Sequence, residues 1–318
     1  DPAATAVRKL MAEYPARRIR LVVCPEVLGN NRKVSNLVQM FPQAKYDHIL
    51  VNDSDIYVPP GYLRRVMAPF AQPRVGMVTC PYRGIPADTL GSKLESLGIS
   101  TEFIPGVLVA RQIENGIHFA LGSTLAMSRE ALNSIGGLRP LVDYLADDFE
   151  LGYRISKTGY EVVLADVVVE THLPAYTFAE FLQHQMRWAR STRDSRRMGY
   201  IGLLLTFALP WAMIAVLLAA GAWWSWITLG AAAVLRVAVA LQVGLGVVHD
   251  RAMLKYLWLL PLRDLMAFWV WFASFADNKV QWRGETFILE KGRIRPAGHA
   301  GEELITSADP DDKAPAHW

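Results

Sequence analysis

Ile49, Leu50 and Val51 form an apolar run that stops at Asn52-Asp53-Ser54-Asp55, the pattern of a buried strand leaving its sheet at two carboxylates. Comparable strand-like runs occupy residues 20–24 (RLVVC), 75–80 (VGMVTC), 118–127, 160–165 (YEVVLA) and 167–169. Helical periodicity lies between them. Residues 5–14 carry Val7, Leu10 and Met11 on one face, and a Gly/Asn turn from Gly29 leads into a short helix. Residues 62–70 and 89–103 follow; 129–135 ends at Gly136-Gly137, and the acidic cluster 145–152 opens a helix that runs through Lys157 and is closed by Gly159. Strands alternating with helices predict an α/β domain whose mostly parallel sheet is covered on both faces.

After residue 177 the pattern changes. Residues 178–197 set Phe178, Phe181, Leu182, Gln185 and Trp188 at helical spacing, with Arg187, Arg190, Arg193, Arg196 and Arg197 gathered to one side. Such a helix suits a membrane surface, with arginines at lipid phosphates; it suits equally a packed helix with a solvated basic face. Residues 201–221 are apolar and long enough to cross a bilayer, and Trp223 and Trp224 follow as interfacial markers. Residues 226–248 form a second such stretch, whose one charge, Arg236, is expected to face protein or a polar cavity. A third, 254–275, is interrupted by Pro261-Leu262-Arg263-Asp264. Arg251 and Lys255 precede it, and Lys279, Arg283, Lys291, Arg293 and Arg295 follow it. Basic flanks on both sides predict a segment that enters the membrane and returns, bending at Pro261 with Arg263 paired to Asp264. The expected organisation is an α/β domain over 1–177, an interfacial helix over 178–199, membrane helices over 200–280, and a cytosolic segment over 281–318 whose polar end is disordered.

A net charge of +3 is close to balanced and gives no sign of a nucleic-acid partner. The two cysteines, Cys24 and Cys80, lie in apolar runs, as free thiols in a reducing compartment do. The candidate chemistry is acidic. Asp53 and Asp55 sit where open α/β sheets bind ligands, and two carboxylates there can hold a divalent cation whose shell is completed by phosphates. The plainer account is an Asx-turn before Pro59-Pro60-Gly61. At Asp147-Asp148, capping and the helix dipole account for one carboxylate; the other is a catalytic candidate. Lys33 can meet a phosphate as a point charge or be solvated. His118 can line a site or be structural.

The order Asn52-Asp53-Ser54-Asp55, Asp147-Asp148-Phe149, His184-Gln185-Met186-Arg187-Trp188, then apolar spans, resembles the membrane-bound family 2/21 glycosyltransferases. More narrowly it resembles their ceramide glucosyltransferase branch, with the hopanoid-associated transferases close by. Asp1-Pro2-Ala3, the 29–37 turn with Lys33 and Asn36, Gly122 within LGSTLAMSRE, and Trp282-Arg283-Gly284 carry the same resemblance. It implies a GT-A-like, Rossmann-type nucleotide-sugar domain followed by a helical transmembrane region. It implies an inverting hexosyltransferase using a UDP-sugar and a lipid acceptor in the bilayer, with the catalytic domain on the cytosolic side, as in a bacterial inner membrane. Asp148 would be the base. Asp53, Lys33, Arg187, Trp188 and Asp1 would hold the nucleotide sugar, and Asp55 would ligate Mg²⁺ or Mn²⁺. Gly122, His118 and His184 would lie on the acceptor side. His184 departs from the Gln or Arg usual at that position. The resemblance also implies a first strand and an N-terminal span ahead of Asp1, neither of which this chain contains.

Overall fold

The computed structural model describes residues 2–298. Asp1 and the residues beyond 298, where the disordered tail is expected, lie outside the described residues. In chain order the first half contains α1 (Pro2–Glu13), α2 (Arg32–Met40), β1 (His48–Val51), β2 (Ile56–Tyr57), α3 (Tyr62–Met67), β3 (Val75–Thr79), β4 (Tyr82–Ile85), α4 (Leu90–Gly98), α5 (Ile104–Ile113), β5 (Leu125–Ser128), α6 (Arg129–Ser134), α7 (Asp147–Lys157), β6 (Glu161–Leu164) and β7 (Val169–His172).

A continuous run of small and apolar residues sets β3 inside the main sheet, between β5 and β6, buried along its whole length. The main sheet has the order β1-β5-β3-β6, and a smaller sheet has the order β2-β7-β4. Met77, Val78, Leu125, Met127, Leu132 and Ile155 fill the core against them.

The sheets are mixed, not mostly parallel. β3 with β6 and β4 with β7 are parallel, but β5 runs antiparallel to both β1 and β3, and β2 is antiparallel to β7. Nor is 20–24 a strand: residues 18–28 form neither helix nor strand. That segment runs beside α2, which satisfies its backbone through side chains; Glu26 N–H donates to Gln39 Oε1 (3.2 Å) and Leu28 N–H to Ser35 Oγ (3.0 Å). With α2 supplying partners, no strand pairing is needed. In the expected 118–127 strand only the end is extended, from Leu125; Leu121 to Thr124 turn back, closed by Thr124 N–H to Leu121 O at 3.2 Å.

The second half holds α8 (Phe178–Ser195), α9 (Arg197–Gly202), α10 (Ala208–Leu218), α11 (Trp223–Gly246) and α12 (Leu260–Ala273). Among the described residues, α11 is the one single helix long and apolar enough to cross a membrane: 24 residues, mean hydropathy 1.8, and largely unburied. The expected span over 201–221 is broken, with its two helical parts bent by 52°. Pro261 falls in the first turn of α12, where its missing N–H costs nothing.

Charges in this region are paired, though not as expected. Arg263 does not bond Asp264, because adjacent residues on a helix point to different faces. Asp264 instead takes both sides of the Arg236 guanidinium, each at 2.8 Å, across α11 and α12. Arg263 reaches Glu102 (3.0 Å) and Gln185 (2.9 Å). The anchor for these contacts is a π-helical turn, Ile99–Phe103, between α4 and α5. Its consecutive residues Ser100, Thr101 and Glu102 bond Asp250, Arg236 and Arg263 in turn. A π-turn's extra residue breaks regular helical spacing, as often happens at functional positions.

The chain ends in a three-stranded antiparallel sheet, β8 (Lys279–Trp282), β9 (Glu285–Glu290) and β10 (Arg293–Pro296), with order β10-β9-β8. The sequence pattern gave no sign of these strands in the segment over 281–318. Val280, Phe287, Leu289 and Ile294 pack on Leu145, two residues before Asp147.

Candidate active site

Four loops at strand and helix ends meet where β1 leaves the main sheet. Asn52 fixes the first: its Nδ2 donates to Ser123 O (2.8 Å), Tyr62 Oη (3.0 Å) and Thr124 Oγ1 (3.2 Å). The strand end that carries Asp53 is therefore tied to the turn that carries Gly122. Asn31 fixes the second. It caps α2 by accepting from Val34 N–H (3.1 Å) and donates to Tyr144 O (2.8 Å) and Asp147 Oδ1 (3.2 Å).

Lys33, in the first turn of α2, lies between carboxylates from two elements. Its Nζ is 2.9 Å from Asp53 Oδ1 and 3.4 Å from Asp147 Oδ2. Burial alone would lower its pKa, but the charges of Asp147, Asp53 and Asp148 outweigh burial and raise it above the ordinary lysine value.

Asp148 begins α7 beside this group and is half-buried. Its Oδ1 accepts from Phe149 N–H at 2.8 Å. Its other oxygen faces Gly122, where an added Cβ would come within 3.0 Å of Oδ2. Burial and the Asp147 charge push the Asp148 carboxyl up to about 6, against the pull of Lys33. Asp55 lies just beyond on the strand end, exposed, with Oδ2 accepting from Thr171 Oγ1 at 2.9 Å.

From here a row of rings leads to α8. Tyr82, buried, contacts Phe103 (5.5 Å between centroids), Phe103 contacts Trp188 (5.6 Å), and Trp188 contacts His184 (5.1 Å). Burial raises the Tyr82 pKa well above the usual value, and the charges of Asp148, Glu95, Asp53 and Asp55 add to it, so one buried phenol senses both ends of the site. His184 Nδ1 bonds the buried Glu95 at 2.9 Å, and its ring stacks on Tyr176. Arg187 is partly buried and, among the described residues, no carboxylate pairs with it. Burial lowers its pKa below the ordinary arginine value.

The structure thus gathers Lys33, Asp53, Asp147, Asp148 and Gly122, with Asp55 at the rim, and sets Arg187, Trp188 and His184 on the flank. His118 stands apart in this geometry: it is exposed, with Nε2 3.4 Å from Glu114 O. The sequence pattern did not single out Asn31, Asn52, Tyr82 or Glu95. Glu95 alone left a signal, a carboxylate inside the apolar face of Leu94 and Leu97.

Asp53 and Asp55 are hard oxygen donors, but no group of three or more metal-ligating side chains gathers among the described residues. Asp53 is paired with Lys33, whereas one Asp55 oxygen has no protein partner among the described residues. That donor set fits a cation held jointly with phosphates, not an all-protein cage.

The profile described as Glycosyl transferase family 21 matches residues 1–295. Ceramide glucosyltransferase 3 of Caenorhabditis elegans is 24% identical over 191 residues, 60% of this chain and 41% of that protein. Ceramide glucosyltransferase 1 of the same organism is 24% identical over 194 residues, with the same coverage. The chain therefore spans about two fifths of the length of these relatives. A solved structure titled "Crystal Structure of a Mycobacterial Protein" aligns over 59% of this chain and 60% of its own, at 18% identity and a TM-score of 0.33. With the family profile covering all but the last residues, the chain belongs to glycosyl transferase family 21.

Proposed function

We propose that this protein transfers a hexose, glucose in first place, from a UDP-sugar to the hydroxyl of a membrane lipid of the ceramide type, with inversion at the anomeric carbon. One observation carries the reading: a carboxyl pushed up to about 6, Asp148, faces the bare backbone of Gly122 beside the Lys33–Asp53 pair. A base with a pKa near neutrality is matched to removing a proton from an alcohol.

In the proposed step the lipid hydroxyl oxygen attacks the anomeric carbon. The bond from that carbon to the β-phosphate oxygen breaks, its electron pair leaves with UDP, and the hydroxyl proton passes to the Asp148 carboxylate. A single displacement inverts the centre. Lys33 would meet the diphosphate as a fixed positive charge, and Arg187, lacking a carboxylate of its own, would receive its oxygens. Trp188 and the rings behind it would exclude water from the acceptor side. Asp53 and Asp55 would hold Mg²⁺ or Mn²⁺, which would neutralise charge on the departing diphosphate.

Two observations favour a lipid acceptor. α8 leads through α9 into α10 and the unburied apolar α11, and both relatives are named ceramide glucosyltransferases. The basic residues on both flanks of 254–275 favour a cytosolic site.

The test is to incubate the full-length protein in membranes with separately labelled UDP-sugars, with Mg²⁺, Mn²⁺ or a chelator, and to extract the lipids. Label from UDP-glucose in a sphingolipid is expected. Label from UDP-N-acetylglucosamine in a hopanoid would retain the transfer and change the substrates. No lipid label from any donor would overturn the reading.

A further inference from the structure

The C-terminal sheet brings a second basic element up to the start of α2, the helix that carries Lys33. β8 and β9 are joined through Arg283-Gly284, with Trp282 paired to Glu285 across the turn. Both turn residues are left-handed, Arg283 at φ 53° and Gly284 at φ 82°. Two-residue turns of this hand favour Asn, Asp or Gly at the first position, and a long side chain there is strained.

The tip faces the turn before α2. Asn30, Arg32, Trp282, Arg283, Glu285 and Phe287 line a cleft of about 220 Å³. Arg32 and Lys33 share the first turn of α2, so this cleft and the Lys33–Asp53 pair are carried by the same helical turn. The Arg283 guanidinium lies over the Trp282 ring, 5.5 Å from its centroid. Among the described residues neither Arg32 nor Arg283 has a carboxylate at salt-bridge distance. The sheet is anchored at the other end of β9: Asn30 Nδ2 donates to Ile294 O (2.9 Å), Ile294 N–H to Asp143 O (2.7 Å), and Leu145 N–H to Gly292 O (3.0 Å). On the α8 side, the Arg283 charge reaches Arg187, adding to burial in lowering its pKa while Tyr176 and Glu95 oppose it. Unpaired arginines approaching one cleft from two elements repel each other until an anion separates them.

The geometry points to Arg283, supported by Arg32, as a phosphate-binding residue that closes the cleft over the diphosphate of a nucleoside diphosphate. Planar guanidinium groups match phosphate oxygens through paired N–H bonds. This assignment rests on reading the Lys33–Asp53–Asp148 cleft as a donor site.

Because Asn suits the turn better than Arg, the discriminating variant is Arg283→Asn in the full-length protein. Binding of UDP and of uridine is measured by calorimetry, beside the melting temperature. The assignment expects an unchanged or higher melting temperature, UDP binding weakened about tenfold as for a lost charged hydrogen bond, uridine binding unchanged, and an intermediate Arg283→Lys. Wild-type UDP affinity in Arg283→Asn would overturn it, as would weakened retention on phosphatidylglycerol vesicles with UDP binding intact, which would assign the arginine to a lipid surface. If the wild-type protein binds no UDP at all, the donor reading itself falls and this assignment with it.

Discussion

The carboxylate of Asp148 occupies the space that a side chain at residue 122 would need, with Oδ2 3.0 Å from the Cβ position of Gly122. The atom in the way is the end of a short side chain, so Gly122→Ala is accommodated by moving the carboxylate a few tenths of an ångström. Stability changes little, but the base is displaced. The expected result for Gly122→Ala is a fall in kcat of about 100-fold, the scale on which a misplaced group costs rate, with the melting temperature within a few degrees of wild type. Undiminished kcat would separate Gly122 from the base.

Lys33 is the cation that holds Asp53 and Asp147 together. Lys33→Met keeps the length of the side chain and removes the charge, leaving two carboxylates facing each other. We expect a loss of about 2 kcal/mol in stability, below the range for breaking a fully buried pair, together with weaker UDP binding. Urea unfolding and UDP titration of the same variant check both effects.

Asp148 itself lowers stability at neutral pH. Its pKa is about 6 when folded, against 3.8 for an ordinary aspartate, so the ionised form is disfavoured by folding. The penalty is absent below the unfolded value, grows as pH rises between the two, and is complete above about 6. Asp148→Asn removes it. The variant is predicted to be more stable than wild type at pH 8, by on the order of 2 kcal/mol, and no more stable at pH 4. Thermal melts at both pH values test this, and a variant less stable at pH 8 would contradict it.

The Arg236–Asp264 pair joins α11 to α12 with both side chains nearly buried, 13% and 9% exposed. Removing one partner strands the other charge. Arg236→Leu alone is expected to cost about 3 kcal/mol, whereas Arg236→Leu with Asp264→Leu recovers most of the loss. Melting of the single and double variants in detergent makes the comparison.

Several elements were legible in the sequence. Helix α7 begins at Asp147 and ends at Lys157 where the acidic opening and Gly159 place it, and β1 stops where Asp53 and Asp55 begin. Local patterns encode such boundaries through capping and burial. They do not encode strand direction: β5 reverses because of where it pairs with β1 and β3, a long-range choice invisible in its own four residues. The apolar run at 20–24 looked like a strand because periodicity cannot report a missing partner. The C-terminal sheet escaped notice because its turns are Arg283-Gly284 and Lys291-Gly292, not the Asn-Gly or Asp-Gly that announce a hairpin. In the site, the acidic residues were found by spacing. Asn31 and Asn52, which hold them, were not, since an asparagine that clamps two loops looks in sequence like any turn residue.

The most direct measurement of the central claim is the pH dependence of kcat at saturating donor, for the wild type and Asp148→Asn side by side. The account predicts a wild-type rate that rises with pH through a midpoint near 6, as Asp148 loses its proton, and a variant that binds UDP but shows no turnover at any pH. A flat wild-type profile from pH 5 to 8, or turnover by Asp148→Asn at the wild-type rate, would contradict it.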